Sequence, residues 1–328
     1  MCSHSMRQFA GVLCTMAAAV MAVAAAHAQS PGLKKVPVVA VAPTSLFWPL
    51  YIAQENGLYR DKGLDVALTF SGSATGPMQL LISGDADFAV TTSDVGFDAV
   101  SRGAKIKLIG GYMSSRPFIM MAKPDIKTAA DMKGKAVGVS PPRDISTIAW
   151  NQWLRSQGIK PGEIDQIYNT NTGARYAALA NGATVGAMLS PPVSFKAKKD
   201  GFNTILDIGE YLRGVPFLSI FARSDWLETH GDEARAFLAT QSDAIDWFYD
   251  PANRQRANDI LANRIKMERP LIEETYDYYL KDLKPFSRKL DVSAQGYARE
   301  LDSLVEAGTV KNKANIPSDF NDTRFRPH

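Results

Sequence analysis

From residue 36 onward the chain alternates short β-branched runs with amphipathic segments that stop at glycine, and this alternation excludes most architectures. Residues 36–41 read as a buried strand, 48–56 as a helix stopped by Gly57, and 64–70 as a strand with strict period-two patterning. A helix over 77–83 ends at Gly84, a strand covers 87–91, a helix over 93–102 ends at Gly103, and 106–112 is a further strand. Repeated β-α units of this kind predict an α/β protein built on a parallel sheet.

A second series of similar length follows Ser114-Ser115-Arg116-Pro117, with strands over 118–122, 136–140, 164–168 and 185–189 and helices over 145–156 and 174–181. A turn at Gly214-Val215-Pro216 leads to a strand over 217–222. Helices then fill 232–249, 251–264, 270–282 and 293–307. The two α/β units are joined near 112–118 and again near 212–217, so the chain leaves one lobe, builds a second and returns. The expected organisation is lobe 1 from residues 29–115 and 217–328, and lobe 2 from 116–216, with a ligand cleft between them. Strand carboxyl ends and helix N-termini would face that cleft.

Residues 1–28 read as a secretory signal peptide: Arg7, an uncharged run over 9–26, then the A-x-A pattern Ala26-His27-Ala28. Cys14 lies inside the apolar run, the wrong place for lipid attachment. Cleavage after Ala28 leaves 300 of the 328 residues, takes the net charge from +3 to +2, and removes Cys2, Cys14, His4 and His27. A chain without thiols excludes disulfides, thiolate zinc sites, iron–sulfur clusters and cysteine nucleophiles. The histidines left are His230, read as solvent-exposed, and His328. With 37 Lys+Arg against 34 Asp+Glu the charge is too even for a nucleic-acid partner.

Small polar residues stand where each strand should meet its helix. They are Thr44 and Ser45; Ser71, Gly72 and Ser73; Thr92, Ser93 and Asp94; Ser140, Arg143 and Asp144; and Asn169, Asn171 and Thr172. Each hydroxyl or amide caps a helix well, and five such loops converging on one face make a binding cleft. Arg116 and Arg143 are the candidates for a ligand carboxylate or sulfonate, because guanidinium offers a planar fork of donors. Phe47 and Trp48 are the candidates for stacking on a planar ligand. No nucleophile elbow, Walker loop, dinucleotide fingerprint or His-x-x-x-His pair occurs in the sequence. Neither a cofactor nor catalysis is expected.

Three segments together carry a family likeness: residues 44–59, from Thr44-Ser45-Leu46-Phe47-Trp48 to Asn56-Gly57-Leu58-Tyr59; Gly63-Leu64-Asp65-Val66; and Ile82-Ser83-Gly84-Asp85-Ala86-Asp87-Phe88-Ala89. With residues 131–139 and the Ser190-Pro191-Pro192 turn they resemble the periplasmic ABC-transporter solute-binding proteins for nitrate, sulfonates and thiamine-precursor pyrimidines. The resemblance implies a two-lobed type II periplasmic binding fold, capture of a small-molecule ligand by lobe closure, and delivery to the membrane permease of an ABC importer. It places ligand contacts in the five loops and at Pro191. No histidine lies near those loops, which points away from a pyrimidine and toward a small organic anion held by Arg143 or Arg116. A neutral heteroaromatic ligand, or an enzyme on the same fold, stand as alternatives. A periplasmic monomer is expected.

Overall fold

A computed structural model describes residues 32–327; the signal-peptide reading, both cysteines and His328 lie outside them. Ten strands form two sheets: β1 (Lys34–Ala40), β2 (Leu64–Phe70), β3 (Phe88–Thr92), β4 (Ile106–Met113), β5 (Ile119–Ala122), β6 (Ala136–Val139), β7 (Asp165–Tyr168), β8 (Gly186–Leu189), β9 (Asn203–Asp207) and β10 (Leu218–Arg223). The first sheet has the order β2-β1-β3-β10-β4 and the second β7-β6-β8-β5-β9. Each is flanked by helices, giving one α/β lobe per sheet.

The sheets are mixed, which corrects the expectation of a parallel arrangement. β1 pairs in parallel with β2 and β3, and β6 with β7 and β8. The crossover strands run the other way: β10 is antiparallel to β3 and β4, and β5 to β8 and β9. Side-chain periodicity reports burial and says nothing about direction, so a returning strand looks like its neighbours.

Local chemistry sets most boundaries. The helix Trp48–Glu55 carries Pro49 in its first turn, and Gly57 leaves it in the left-handed conformation at φ 74°. Asp144 caps Ile145–Ser156 through Ser146 N–H, and Asn171 caps Thr172–Ala180 through Ala174 N–H. The expected helix over 270–282 is Arg269–Asp277 followed by a π turn, Tyr278–Leu283. His230 is half-buried rather than exposed, stacked on Trp226 at 4.6 Å.

The helical tail returns to the first sheet, where Phe237 of the helix Gly231–Tyr249 stacks on Phe88 at 4.4 Å. Its last long helix, Ala294–Glu306, sits behind both crossovers. Glu300 pairs with Arg116, and Gly296 packs so tightly on Gly214 that a Cβ would come within 2.1 Å of the Gly214 carbonyl oxygen.

Candidate functional site

A cavity of about 410 Å³ opens between the two sheets, lined from lobe 1 by residues 41–44, Leu46, Phe47, Gly72, Ala74, Thr92, Phe217 and Leu218. Lobe 2 supplies Phe118, Ser140, Pro141, Asp144, residues 170–173 and residues 190–193, and the tail adds Ile265 and Met267. The lobe 1 wall is mainly apolar. The lobe 2 wall carries most of the hydroxyls and the carboxylate.

Of the residues expected to bind, Thr44, Phe47, Gly72, Thr92, Ser140, Asp144, Asn171, Thr172 and Pro191 line this cavity. Ser45, Trp48, Ser71, Ser73, Ser93, Arg116, Arg143, Asn169 and the buried Asp94 do not. Ser71 and Ser73 close a local turn, with the Ser71 hydroxyl donating to the Ser73 carbonyl and Gly76 N–H donating to Ser73 Oγ. Ser93 is buried against Ser219 and the Phe217 carbonyl. The Asn169 side chain accepts from Asn171 N–H. Ser45 joins the lobes, its hydroxyl donating to the Pro191 carbonyl at 2.7 Å.

Of the four residues expected to hold or stack on the ligand, only Phe47 lines this cavity, and Trp48, Arg143 and Arg116 lie away from it. Trp48 is core: its indole N–H donates to the Ala257 carbonyl at 2.9 Å and its rings pack on Phe248 and Tyr276. Arg143 is exposed and lies outside the cavity lining. Arg116 is fully buried, with Nη2 donating to both Glu300 carboxylate oxygens at 3.1 and 3.2 Å, while Nε and Nη1 make no hydrogen bond. A guanidinium already held by a carboxylate is a poor anion receptor.

Acidic groups gather behind the same region. Burial raises the Asp94 carboxyl above the usual range, and the nearby Asp144 charge adds to the rise. Burial pushes Glu300 up to about 7, outweighing the opposing pull of Arg116. Desolvation therefore wins over the ion pair at the crossover.

Several lining residues fall outside the set expected from sequence, among them Ser190 and two phenylalanines that read as strand residues. Phe118 and Phe217 meet edge to face at 5.7 Å on the crossover side of the cavity. Each follows a proline, Pro117 or Pro216, at a crossover, and that position was the available signal. Behind Phe217 stands the Arg116 guanidinium at 5.1 Å, and behind Phe118 that of Arg175 at 5.9 Å.

Two mixed sheets joined by two crossovers around a cleft define a two-lobed periplasmic binding protein fold of type II. The periplasmic aliphatic sulphonate binding protein SsuA from Escherichia coli has this fold, at TM-score 0.71 and 21% identity over 86% of this chain and 90% of that one. The alkanesulfonate-binding protein SsuA from Xanthomonas axonopodis pv. citri, solved with MOPS, superposes at 0.70 with 15% identity, covering 86% and 95%. The formylaminopyrimidine-binding protein of Halalkalibacterium halodurans is 23% identical over 252 residues, 74% of each chain. The family model described as NMT1/THI5 like matches residues 44–254. The chain belongs to that family.

Proposed function

We propose that this protein is the exported capture component of an ABC importer, cleaved after Ala28, and that its cleft takes a planar heteroaromatic solute bearing hydrogen-bond donors. The observation that carries this reading is the charge of the lining: among the described residues it holds one carboxylate, Asp144, three phenylalanines, and no arginine or lysine. A ring packs against Phe47, Phe118 and Phe217, and its amino or ring N–H donates to Asp144. An anion would meet that carboxylate with no cation in contact. The first-turn amides that could have held it are partly taken, by Asp144 at Ser146 and by Asn171 at Ala174. The kinship with a formylaminopyrimidine-binding protein points the same way.

The two-sheet division supports lobe 1 as residues 29–115 and 217–328 and lobe 2 as 116–216, closing about crossovers next to Pro117 and Pro216. The protein acts as a monomer and returns its solute chemically unchanged. Titration calorimetry with 4-aminopyrimidine, aniline, ethanesulfonate, benzoate and nitrate tests the class. Binding of 4-aminopyrimidine with no response to the anions is the expected result. Tight binding of ethanesulfonate or benzoate alone overturns the heteroaromatic reading, and recovery of an altered solute overturns the binding-protein reading.

A further inference from the structure

Arg175, in the first turns of the helix Thr172–Ala180, is 2% exposed and forms no ion pair among the described residues. Its donors go elsewhere: Nε to the Met188 carbonyl at 2.6 Å, Nη1 to the Asn169 carbonyl, and Nη2 to Thr172 Oγ1 at 3.0 Å. One guanidinium thus holds the carboxyl ends of β7 and β8, from which two stretches of the lobe 2 wall begin. Burial lowers its pKa to about 10, which leaves it charged at neutral pH.

Thr172 Oγ1 lies 3.2 Å from Ser190 Oγ, and both residues line the cavity. A hydroxyl has one proton and two acceptor positions. The pair therefore has two protons, of which one lies between the two oxygens, whichever hydroxyl donates. Arg175 occupies an acceptor position on Thr172, so the remaining proton is left free for a solute in the cavity, and donation from a cation strengthens each bond further along the chain.

We infer that Arg175 is a specificity-determining positioning residue, polarising the Thr172–Ser190 hydroxyl pair so that the cleft presents a fixed donor to an acceptor atom of the solute. Asp144 accepts and the hydroxyl pair donates, so the wall reads a molecule with a donor and an acceptor on one edge. This inference rests on the cleft being the binding site and deepens the proposed solute class. It requires an acceptor, which a ring nitrogen or a sulfonate oxygen supplies equally.

The test is a double-mutant cycle of Arg175→Lys and Thr172→Val, read as the ratio of affinities for 4-aminopyrimidine and aniline, which share the amino group and differ in the ring nitrogens. Lysine keeps the charge and loses the fork, and valine keeps the shape of threonine without its hydroxyl. Each single variant should lower the ratio about tenfold, a loss of one hydrogen bond of ordinary strength, by weakening 4-aminopyrimidine more than aniline. In the Thr172→Val background, Arg175→Lys should lower it no further. Equal weakening of both probes, or effects that multiply, overturns the relay. Should the wild type bind ethanesulfonate but not 4-aminopyrimidine, the heteroaromatic reading falls, and the cycle is run on ethanesulfonate with the same non-multiplying loss expected. Binding of aniline alone, or of none of the probes, overturns both proposals.

Discussion

Arg116 and Arg175 are both buried, and each stands behind a phenylalanine of the cleft, yet their surroundings satisfy them in opposite ways. Arg116, at the first crossover, is answered by the charge of Glu300 on the last long helix. Arg175, in the lobe 2 wall, is answered by two carbonyls and a hydroxyl. A carboxylate partner offsets the charge and fastens the last long helix to the first crossover. Neutral partners leave the positive field standing and hand its polarity on to the groups that face the solute. The cleft therefore sits between an arginine paired directly with a carboxylate and one bonded only to neutral groups, with the Asp144 carboxylate nearby.

Breaking the crossover side should have the largest effect. Glu300→Ala leaves a buried guanidinium without its partner and should cost about 3–5 kcal/mol of stability, read by urea unfolding. Replacing both partners, Arg116→Met with Glu300→Leu, should recover most of that loss. No recovery would mean that the pair does more than neutralise itself.

On the cleft side, Asp144→Asn keeps the helix cap, since asparagine caps as well as aspartate, and removes the acceptor charge. The loss of one charge-assisted hydrogen bond predicts roughly 10- to 150-fold weaker binding of 4-aminopyrimidine with little change in melting temperature. Unaltered affinity would remove Asp144 from the recognition scheme.

A smaller effect separates the two sides by pH. Glu300 and Asp94 both hold protons more tightly in the folded chain than they do unfolded. The stability this contributes is fully present below the unfolded carboxyl range and is lost as pH rises through about 7, where burial has moved Glu300. The melting temperature should fall by a few °C, on the order of 2–4 °C per kcal/mol, between pH 5 and 8. Glu300→Gln should flatten that slope, and a slope that persists would assign the titration to Asp94. Arg143→Ala, exposed beside Asp144, should change stability by less than about 0.5 kcal/mol and leave affinity unchanged.

Long-range contacts are less legible in the sequence than the crossovers and helices they join. Ile145–Ser156 was readable because its cap, Asp144, and its terminator, Gly158, are local signals. β9 was not, since Asn203–Asp207 is a half-buried edge strand with little alternation. Trp48 looked like a ligand platform because it follows a polar loop. Its partners Ala257, Phe248 and Tyr276 lie some two hundred residues away, and only the tertiary fold brings them to it. The same distance hid Glu300 from Arg116. Arg175 was overlooked for the opposite reason: its partners are near in sequence, but carbonyls and a threonine carry no motif.

The most direct measurement of the central claim is native mass spectrometry of the protein isolated from the cell envelope without refolding, followed by identification of the released solute. A mature chain beginning at Gln29 that carries one neutral or weakly basic nitrogen heteroaromatic, lost in Asp144→Asn, is the result this account predicts. A sulfonate, carboxylate or nitrate released from the wild type, and retained equally by Asp144→Asn, would contradict it.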